Sequence, residues 1–501
     1  MLQRPRSLSL YGAVAPIGLA YVAAAVVEAG HRVTVVDGAG EALDQTLTVD
    51  SAVGALSRTG LSDAQICARV PADADVIGLS HMFLHEWPML RALLPMLRAA
   101  CPRARLVLGG ENASAHWTTL LEEAPPGVWV VRGEGEETFV RVLDCIVEGG
   151  DWQAIAGLAW QGEVGPQTSG LAARNTAMAS LPRPAWSLFP VEAYLSQRDP
   201  HGVHRGRSLP ILATRGCPYS CTFCSSPDMW TTRYLTRSPA DVVDEMVDAV
   251  AQLGVENFNF CDLTAIVRRD WILEFCAALE AAKLDITWQL PTGTRSEALD
   301  ADVLRALVRT GCRNLTYAPE SGSERMLRIL KKRVKPARML ESLAAAHEAG
   351  LVTRVNIIIG HPDENEADVR ASAKLLLAAA RAGCDDAAVM VFSPYPGSED
   401  YHRLRDAGEI DQSDAWCYLA LSRSGGLTRT WHPRWGPRRL HAVQLGLLTA
   451  FYVASVQHKP SRLGEAVGAL RSGQERTQMD QLLRTKLGQA RTRLAEVWAS
   501  S

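Results

Sequence analysis

A disulfide framework has little to stand on in this chain. Its 11 cysteines are an odd number spread over 501 residues, with no secretory leader pattern ahead of them. An excess of charge of either sign is also lacking. Lys and Arg total 52 against 55 Asp and Glu, a net charge of −3, which leaves no dedicated polycationic surface for nucleic acid. No apolar run comfortably reaches the ~20 residues of a membrane-spanning helix. The stretch Val14 to Val27 is interrupted by Glu28 and His31, and Leu440 to Ser455 is only 16 residues long. What is abundant is apolar material for cores, 47% of the chain. At this length it exceeds the ~250–300 residues over which one core keeps growing, so more than one domain is expected.

The pattern along the chain is of short apolar strands alternating with helices, an α/β architecture. In the first part the strand candidates are Arg32 to Val36, Val76 to Leu79, Arg105 to Leu108 and Val128 to Val131, too apolar to be half exposed. Small or polar residues follow them: Asp37-Gly38, Ser80-His81, Gly109-Gly110-Glu111 and Gly133-Glu134-Gly135-Glu136. Ligands of open parallel sheets bind at such strand ends, where small residues let the backbone come close. Residues 141–205 have tryptophans and prolines with little periodicity and read as a connector. From 206 to 400 the alternation resumes, with strands Pro210 to Ala213, Asn257 to Cys261, Ile286 to Leu290, Asn314 to Tyr317, Arg354 to Ile359 and Ala387 to Phe392. Residues 401–501 read as a helical C-terminal region, with an apolar helix over Leu440 to Ser455 and a charged one over Gln474 to Trp498.

The first strand of the second series runs directly into Cys217-Pro-Tyr-Ser-Cys221-Thr-Phe-Cys224. Three thiolates at this spacing suit a metal cluster. A structural zinc site needs a fourth ligand, yet the next cysteine is Cys261 and the next histidine His347. A [4Fe–4S] cluster held by three cysteines instead keeps one iron open to a further ligand. The motif, with the aromatic Phe223 just before the third cysteine, resembles the signature of the radical S-adenosylmethionine (radical SAM) enzymes. The resemblance implies that Cys217, Cys221 and Cys224 ligate the cluster, and that its open iron chelates and reductively cleaves S-adenosylmethionine. It also implies that residues 206–400 form a partial (β/α)6 barrel.

Residues 1–140 resemble the cobalamin-binding, flavodoxin-like doubly wound domain found in front of many radical SAM barrels. The resemblance implies cobalamin near Ser80, Gly109, Gly110, Glu111, Gly133, Glu134 and Gly135. The Asp-x-His-x-x-Gly motif of other cobalamin proteins is absent, since Asp37-Gly-Ala-Gly-Glu41 carries no histidine; no lower axial histidine is expected. His81 and His85 read as packing or hydrogen-bonding groups rather than cobalt ligands.

In the barrel, resemblance makes Glu320 an acceptor for the ribose hydroxyls of S-adenosylmethionine, Arg354 a partner for its carboxylate, and Ile358, Ile359 and Phe223 apolar contacts to adenine. The Gly-Gly-Glu that holds the methionyl amine elsewhere is absent after the second barrel strand; Asp262 stands there as its substitute. The basic run Lys331-Lys-Arg-Val-Lys335 reads as a solvated helix end.

Phe260 to Pro396 resembles the branch containing anaerobic magnesium-protoporphyrin ester cyclase and the P-methylases. The implied activity is cobalamin-dependent methyl transfer to an unactivated carbon, or to phosphorus, of a small natural product or lipid. One S-adenosylmethionine would methylate cobalamin and a second would be cleaved to open the substrate. Radical oxidation or ring closure without methyl transfer, and a non-catalytic cobalamin sensor, are the alternatives. A one-electron donor such as flavodoxin or ferredoxin is implied, with no nucleic-acid partner and no transmembrane span. A cytoplasmic location is expected from the reducing compartment the cluster needs, with peripheral membrane attachment through the apolar Leu440 to Ser455 run as a variant.

Overall fold

In the computed structural model the described residues are 6–7, 14–197, 201–420 and 429–499, with side chains described from 14 to 488. They fall into two units: Met1–Tyr194 with Thr214–Ser238 and Ser393–Trp431, and Leu195–Ala213 with Pro239–Phe392 and His432–Ser501.

The first unit is built on a five-stranded sheet: β1 (Val76–Ser80), β2 (Arg105–Gly109), β3 (Val128–Val131), β4 (Leu158–Gly162) and β5 (Gly165–Thr168), adjacent in that order. β1 to β3 are parallel, each followed by a helix: Trp87–Ala100, Glu111–Glu123 and Gly135–Glu148. β3 reads Val-Trp-Val-Val and all four residues are buried, as a strand covered on both faces requires. Val107, Trp129, Val131, Val142, Leu158 and Trp160 form the core beneath it.

Two expectations are corrected in this unit. Residues 31–37 carry no strand; Val33 and Val35 instead pack against Ala20, Ala23 and Phe189, so their apolar side chains are used without a ladder. An antiparallel pair, Thr46–Val49 with Leu56–Thr59, forms further on. The connector is also more than a linker, because β4 and β5 extend the sheet in antiparallel fashion. Its Tyr194 hydroxyl donates to both oxygens of buried Asp37, at 3.0 and 2.8 Å.

In the second unit every barrel strand expected from sequence is present: β6 (Ser208–Ile211), β7 (Asn257–Phe260), β8 (Thr287–Thr294), β9 (Cys312–Glu320), β10 (Val352–Ile359) and β11 (Asp386–Val391). They pair in sequence order, all parallel, with β6 and β11 as edges. This is an open six-stranded barrel. Helices such as Pro239–Leu253 and Arg269–Ala282 connect the strands. Phe260, Phe275, Trp271 and Trp288 pack ring against ring between strand and helix. Trp288 and Tyr317 are core side chains, with the Tyr317 hydroxyl bonded to Ser342 at 2.9 Å.

The C-terminal helices Pro437–His458, Ser461–Ser472 and Gln478–Ala499 close this unit. By length and composition alone the first could cross a membrane; here Leu440, Leu447, Phe451 and Ala454 are buried, and Gln444 donates to the Val389 carbonyl of β11 at 2.6 Å. Buried Asp386, at the start of β11, accepts from the Tyr452 hydroxyl at 2.5 Å and from the Gln478 backbone N–H at 3.2 Å. Leaving a buried donor unpaired costs about 1–3 kcal/mol. The Ala387 N–H donates to the same carboxylate at 2.9 Å, so replacing Asp386 by alanine deprives three donors and a loss of about 3 kcal/mol is expected in chemical denaturation, with Tyr452→Phe losing about 1 kcal/mol.

Candidate functional site

The cysteine loop lies in the first unit. Thr214–Arg215 pairs antiparallel with Leu235–Thr236 and closes the loop at its base. Gly216 follows at φ +81°, where a Cβ would come within 2.4 Å of the Arg233 carbonyl, so only glycine fits. Cys217, Cys221 and Cys224 are all partly buried, and the Cys224 N–H donates to the Cys221 carbonyl at 3.1 Å. Burial pushes the Cys224 thiol up to about 12. A thiolate there needs a compensating cation, which a ligated iron provides. Thr222 Oγ1, beside Cys221, is buried with no hydrogen-bond partner among the described residues; hydrogen bonds to cluster sulfurs are one way such a hydroxyl is satisfied. The donor set therefore fits a three-cysteine cluster. No group of three or more His, Cys, Asp or Glu among the described residues is gathered at metal-binding spacing.

Three ties hold this loop, and all of them reach residues that sequence assigned to, or beside, the cobalamin turns. Before the cysteines, Arg215 donates to Glu134 Oε1 at 3.1 Å and to Glu136 Oε1 at 2.5 Å. Within the loop, the Ser225 hydroxyl donates to Glu111 at 2.9 Å. After it, Arg174 donates to the carbonyls of Trp230 and Arg233 while also pairing with Glu134 at 3.1 Å. Arg215 further lies 5.3 Å from the Tyr21 ring and 5.6 Å from the Trp230 ring. Burial opposes its charge, but the two carboxylates more than offset this and raise its pKa above the usual arginine value. Sequence reading missed Arg215 and Arg174 as site residues. The Arg215–Glu134 contact spans 81 residues, and no local pattern marks it.

At the β1 to β3 ends, Ser80 is exposed and sits opposite Gly109 in the ladder. Gly110 has φ +120° and its added Cβ would meet the His81 carbonyl at 2.6 Å. The Gly133 N–H donates to Ser114 Oγ at 2.9 Å, and a Cβ on Gly135 would meet Val22 at 3.2 Å. His81 is fully buried, accepts from Asn112 at 2.9 Å and stacks on Trp87. Burial holds it down at about 3, hence neutral. This is the packing role expected for it.

In the second unit, Asp262 is fully buried after β7 and accepts the Ala213 N–H at 3.1 Å. Glu320 ends β9 at a bulge, with a left-handed φ of +69° unusual for a side chain other than glycine. It is 6% exposed; Lys332 Nζ pairs with Oε1 at 3.0 Å, while Oε2 is buried without a partner. One carboxylate oxygen at this strand end is thus left able to accept a further hydrogen bond, on a strained backbone. Lys332 is accordingly more than a solvated helix end, since its side chain is 11% exposed and ion-paired.

Arg354 and the isoleucines do not gather as sequence suggested. Along β10 exposure alternates, with Arg354, Asn356 and Ile358 on the partly exposed face and Ile359 fully buried on the other. Arg354 lies near the start of the strand beside Asp386, at 4.0 Å, about 13 Å of strand away from Ile358. Beyond β10, Glu364 Oε2 accepts the Gly360 N–H at 2.6 Å, and His432 donates to the Glu364 carbonyl at 2.8 Å. Burial lifts the Glu364 carboxyl from 4.5 to about 7. A raised acid binds its proton more tightly when folded, so its contribution to stability is full at low pH and is lost as pH climbs through this window. Relative to a Glu364→Gln chain, the wild type is expected to lose up to about 3 kcal/mol between those limits, read by denaturation at each pH.

Comparison with known proteins places two families on these elements. Residues 4–143 match the B12 binding domain, and residues 211–376 match the radical SAM superfamily. The chain is 27% identical over 433 residues to the cytidylyl-2-hydroxyethylphosphonate methyltransferase of Streptomyces wedmorensis, covering 80% of this chain and 79% of that one. It is 28% identical over 341 residues to the anaerobic magnesium-protoporphyrin IX monomethyl ester cyclase of Cereibacter sphaeroides, covering 66% and 53%. In fold it is similar to the radical S-adenosylmethionine methyltransferase TsrM of Kitasatospora setae, solved with cobalamin and a [4Fe-4S] cluster. The TM-score is 0.60 at 18% identity, over 80% of this chain and 77% of that one.

Proposed function

Since this chain is a cobalamin-binding radical SAM enzyme, we propose that it moves a methyl group from cobalamin to an unactivated carbon, or less readily to phosphorus, of a small natural product or lipid. The observation that carries this reading is the alignment with a methyltransferase over about four fifths of both chains, together with one chain holding both a cobalamin domain and a three-cysteine loop. When bound, the cluster supplies the electron that cleaves S-adenosylmethionine and cobalamin carries the methyl group.

The chain's own residues bind and orient. Cys217, Cys221 and Cys224 would hold the cluster. Glu320 Oε2 takes ribose hydroxyls, for which a carboxylate is a suitable acceptor. Phe223 and Ile358 offer apolar contact to adenine, and Asp262 receives the methionyl amine. Ser80, Gly109 and Gly110 give cobalamin an open strand-end turn. Arg354, committed near Asp386, is left out of this set. A flavodoxin or ferredoxin in a reducing cytoplasm is the electron source that suits the cluster.

Methyl-trideuterated S-adenosylmethionine tests the proposal. Anaerobically loaded enzyme should pass the label to cobalamin, release S-adenosylhomocysteine and form 5′-deoxyadenosine. Deoxyadenosine with no label on cobalamin would sink methyl transfer. It would favour the second reading, radical oxidation or ring closure, for which the 28% identity to the cyclase speaks.

A further inference from the structure

Glu134 and Glu136 lie in a glycine-containing turn at a strand end, the place where a cobalamin contact would be sought. Their side chains are occupied elsewhere. With Arg174 and Arg215 they form a quartet of two positive and two negative groups, each side chain between 4% and 7% exposed. Glu134 accepts from both arginines and also from the Asn175 N–H at 2.8 Å. Charges so buried persist only when paired and hydrogen-bonded. The strand-end turn therefore cannot move without Arg215, and Arg215 cannot move without shifting Cys217, two residues on. At the β2 end Glu111 repeats the device through Ser225, the residue after Cys224. Both flanks of the cysteine loop are thus tied to turns of the sheet that carries the B12 binding match.

We propose that Glu134, Glu136 and Glu111 are positioning residues for the cysteine loop rather than cobalamin contacts, and that through them cobalamin binding and cluster binding are thermodynamically linked. The two outer oxygens of the quartet fix where the first cysteine stands, and Glu111 fixes the third. A loop that tightens on iron pulls the β2 and β3 turns into one arrangement, and cobalamin resting on those turns favours that same arrangement. Linkage of this kind is reciprocal: whatever factor the cluster adds to cobalamin affinity, cobalamin adds to cluster affinity. The inference rests on the chain's cofactors and not on methyl transfer, so it stands or falls separately from that reading.

The test is a titration of the full chain with hydroxocobalamin under anaerobic conditions, once free of cluster and once reconstituted with iron and sulfide. The reconstituted wild type should bind at least about 5-fold more tightly, the lower end of typical allosteric couplings. In Glu136→Gln, which keeps an acceptor for Arg215 but loses the charge, the ratio should fall below about 2-fold while affinity in the cluster-free form stays unchanged. Ser225→Ala cuts the second tie by removing only the hydroxyl that Glu111 accepts from, and should lower the ratio in the same way even where Glu136→Gln folds poorly. The reduced cluster gives an independent readout: adding cobalamin should shift its electron paramagnetic resonance g-values in the wild type and less so in Ser225→Ala. Equal affinity in the two wild-type forms would overturn the proposal. So would a ratio undiminished in the variants, or a Glu136→Gln chain whose cluster-free form has lost cobalamin affinity, which is the result of a direct contact.

Discussion

Cys221→Ala should yield a folded chain that makes no detectable 5′-deoxyadenosine. Two thiolates cannot hold a [4Fe–4S] cluster with a single open iron, and cleavage of S-adenosylmethionine needs that site. The fold should survive because Cys221 is only partly buried, and trimming it to alanine removes a single sulfur atom from the packing. Bound iron, the visible absorption of the cluster and deoxyadenosine measured by mass spectrometry should be lost together. Cobalamin should still bind, at the lower affinity of the cluster-free form. Cleavage that persisted in Cys221→Ala would mean that the cluster is held by other ligands.

Arg215→Ala should be the most destabilising single change in the first unit. It leaves Glu136 buried without its partner at Nη2 and removes one of the two guanidiniums on Glu134. Breaking a buried pair by deleting one side costs about 3–5 kcal/mol, against a typical total stability of about 5–15 kcal/mol. The penalty comes from the stranded charge more than from lost attraction. A double change, Arg215→Met with Glu136→Met, removes both charges and should recover most of the loss while Glu134 keeps Arg174. Urea denaturation of the single and double variants measures this. A single-variant loss below about 1 kcal/mol would mean that the pair is solvated like a surface ion pair.

The barrel was legible because its strands announce themselves one at a time. Val352–Ile359 and Asp386–Val391 are mostly β-branched or apolar, interrupted only by Arg354 and Asn356 in the first and led by Asp386 in the second, and parallel buried strands need no knowledge of their neighbours to be recognised. The cysteine spacing was legible for the same reason: it is local. Strands β4 and β5 were not, since Leu-Ala-Trp-Gln-Gly and Gly-Pro-Gln-Thr are short and polar at their ends and are strands only by pairing, β4 with β3 and β5 with β4. Residues 32–36 show the converse, where an apolar run of good β-formers was recruited as packing for the helix Ile17–Glu28. Glu134 was placed rightly at a strand end, but its partners lie 40 and 81 residues away. Nothing in its neighbourhood could tell a cofactor contact from half of a buried ion-pair network. Arg354 failed for a geometric reason: on a strand, distance along the chain decides which end a side chain reaches.

The claim on which the rest depends is that the Cys217–Cys224 loop carries a cluster with one iron open to S-adenosylmethionine, in a chain that also holds cobalamin. Electron paramagnetic resonance of the reduced, reconstituted and cobalamin-loaded protein, recorded before and after addition of S-adenosylmethionine, addresses it directly. The expected result is a [4Fe–4S]+ signal whose g-values change on adding S-adenosylmethionine and which is missing from Cys221→Ala. A cluster signal that S-adenosylmethionine leaves unchanged would contradict the account.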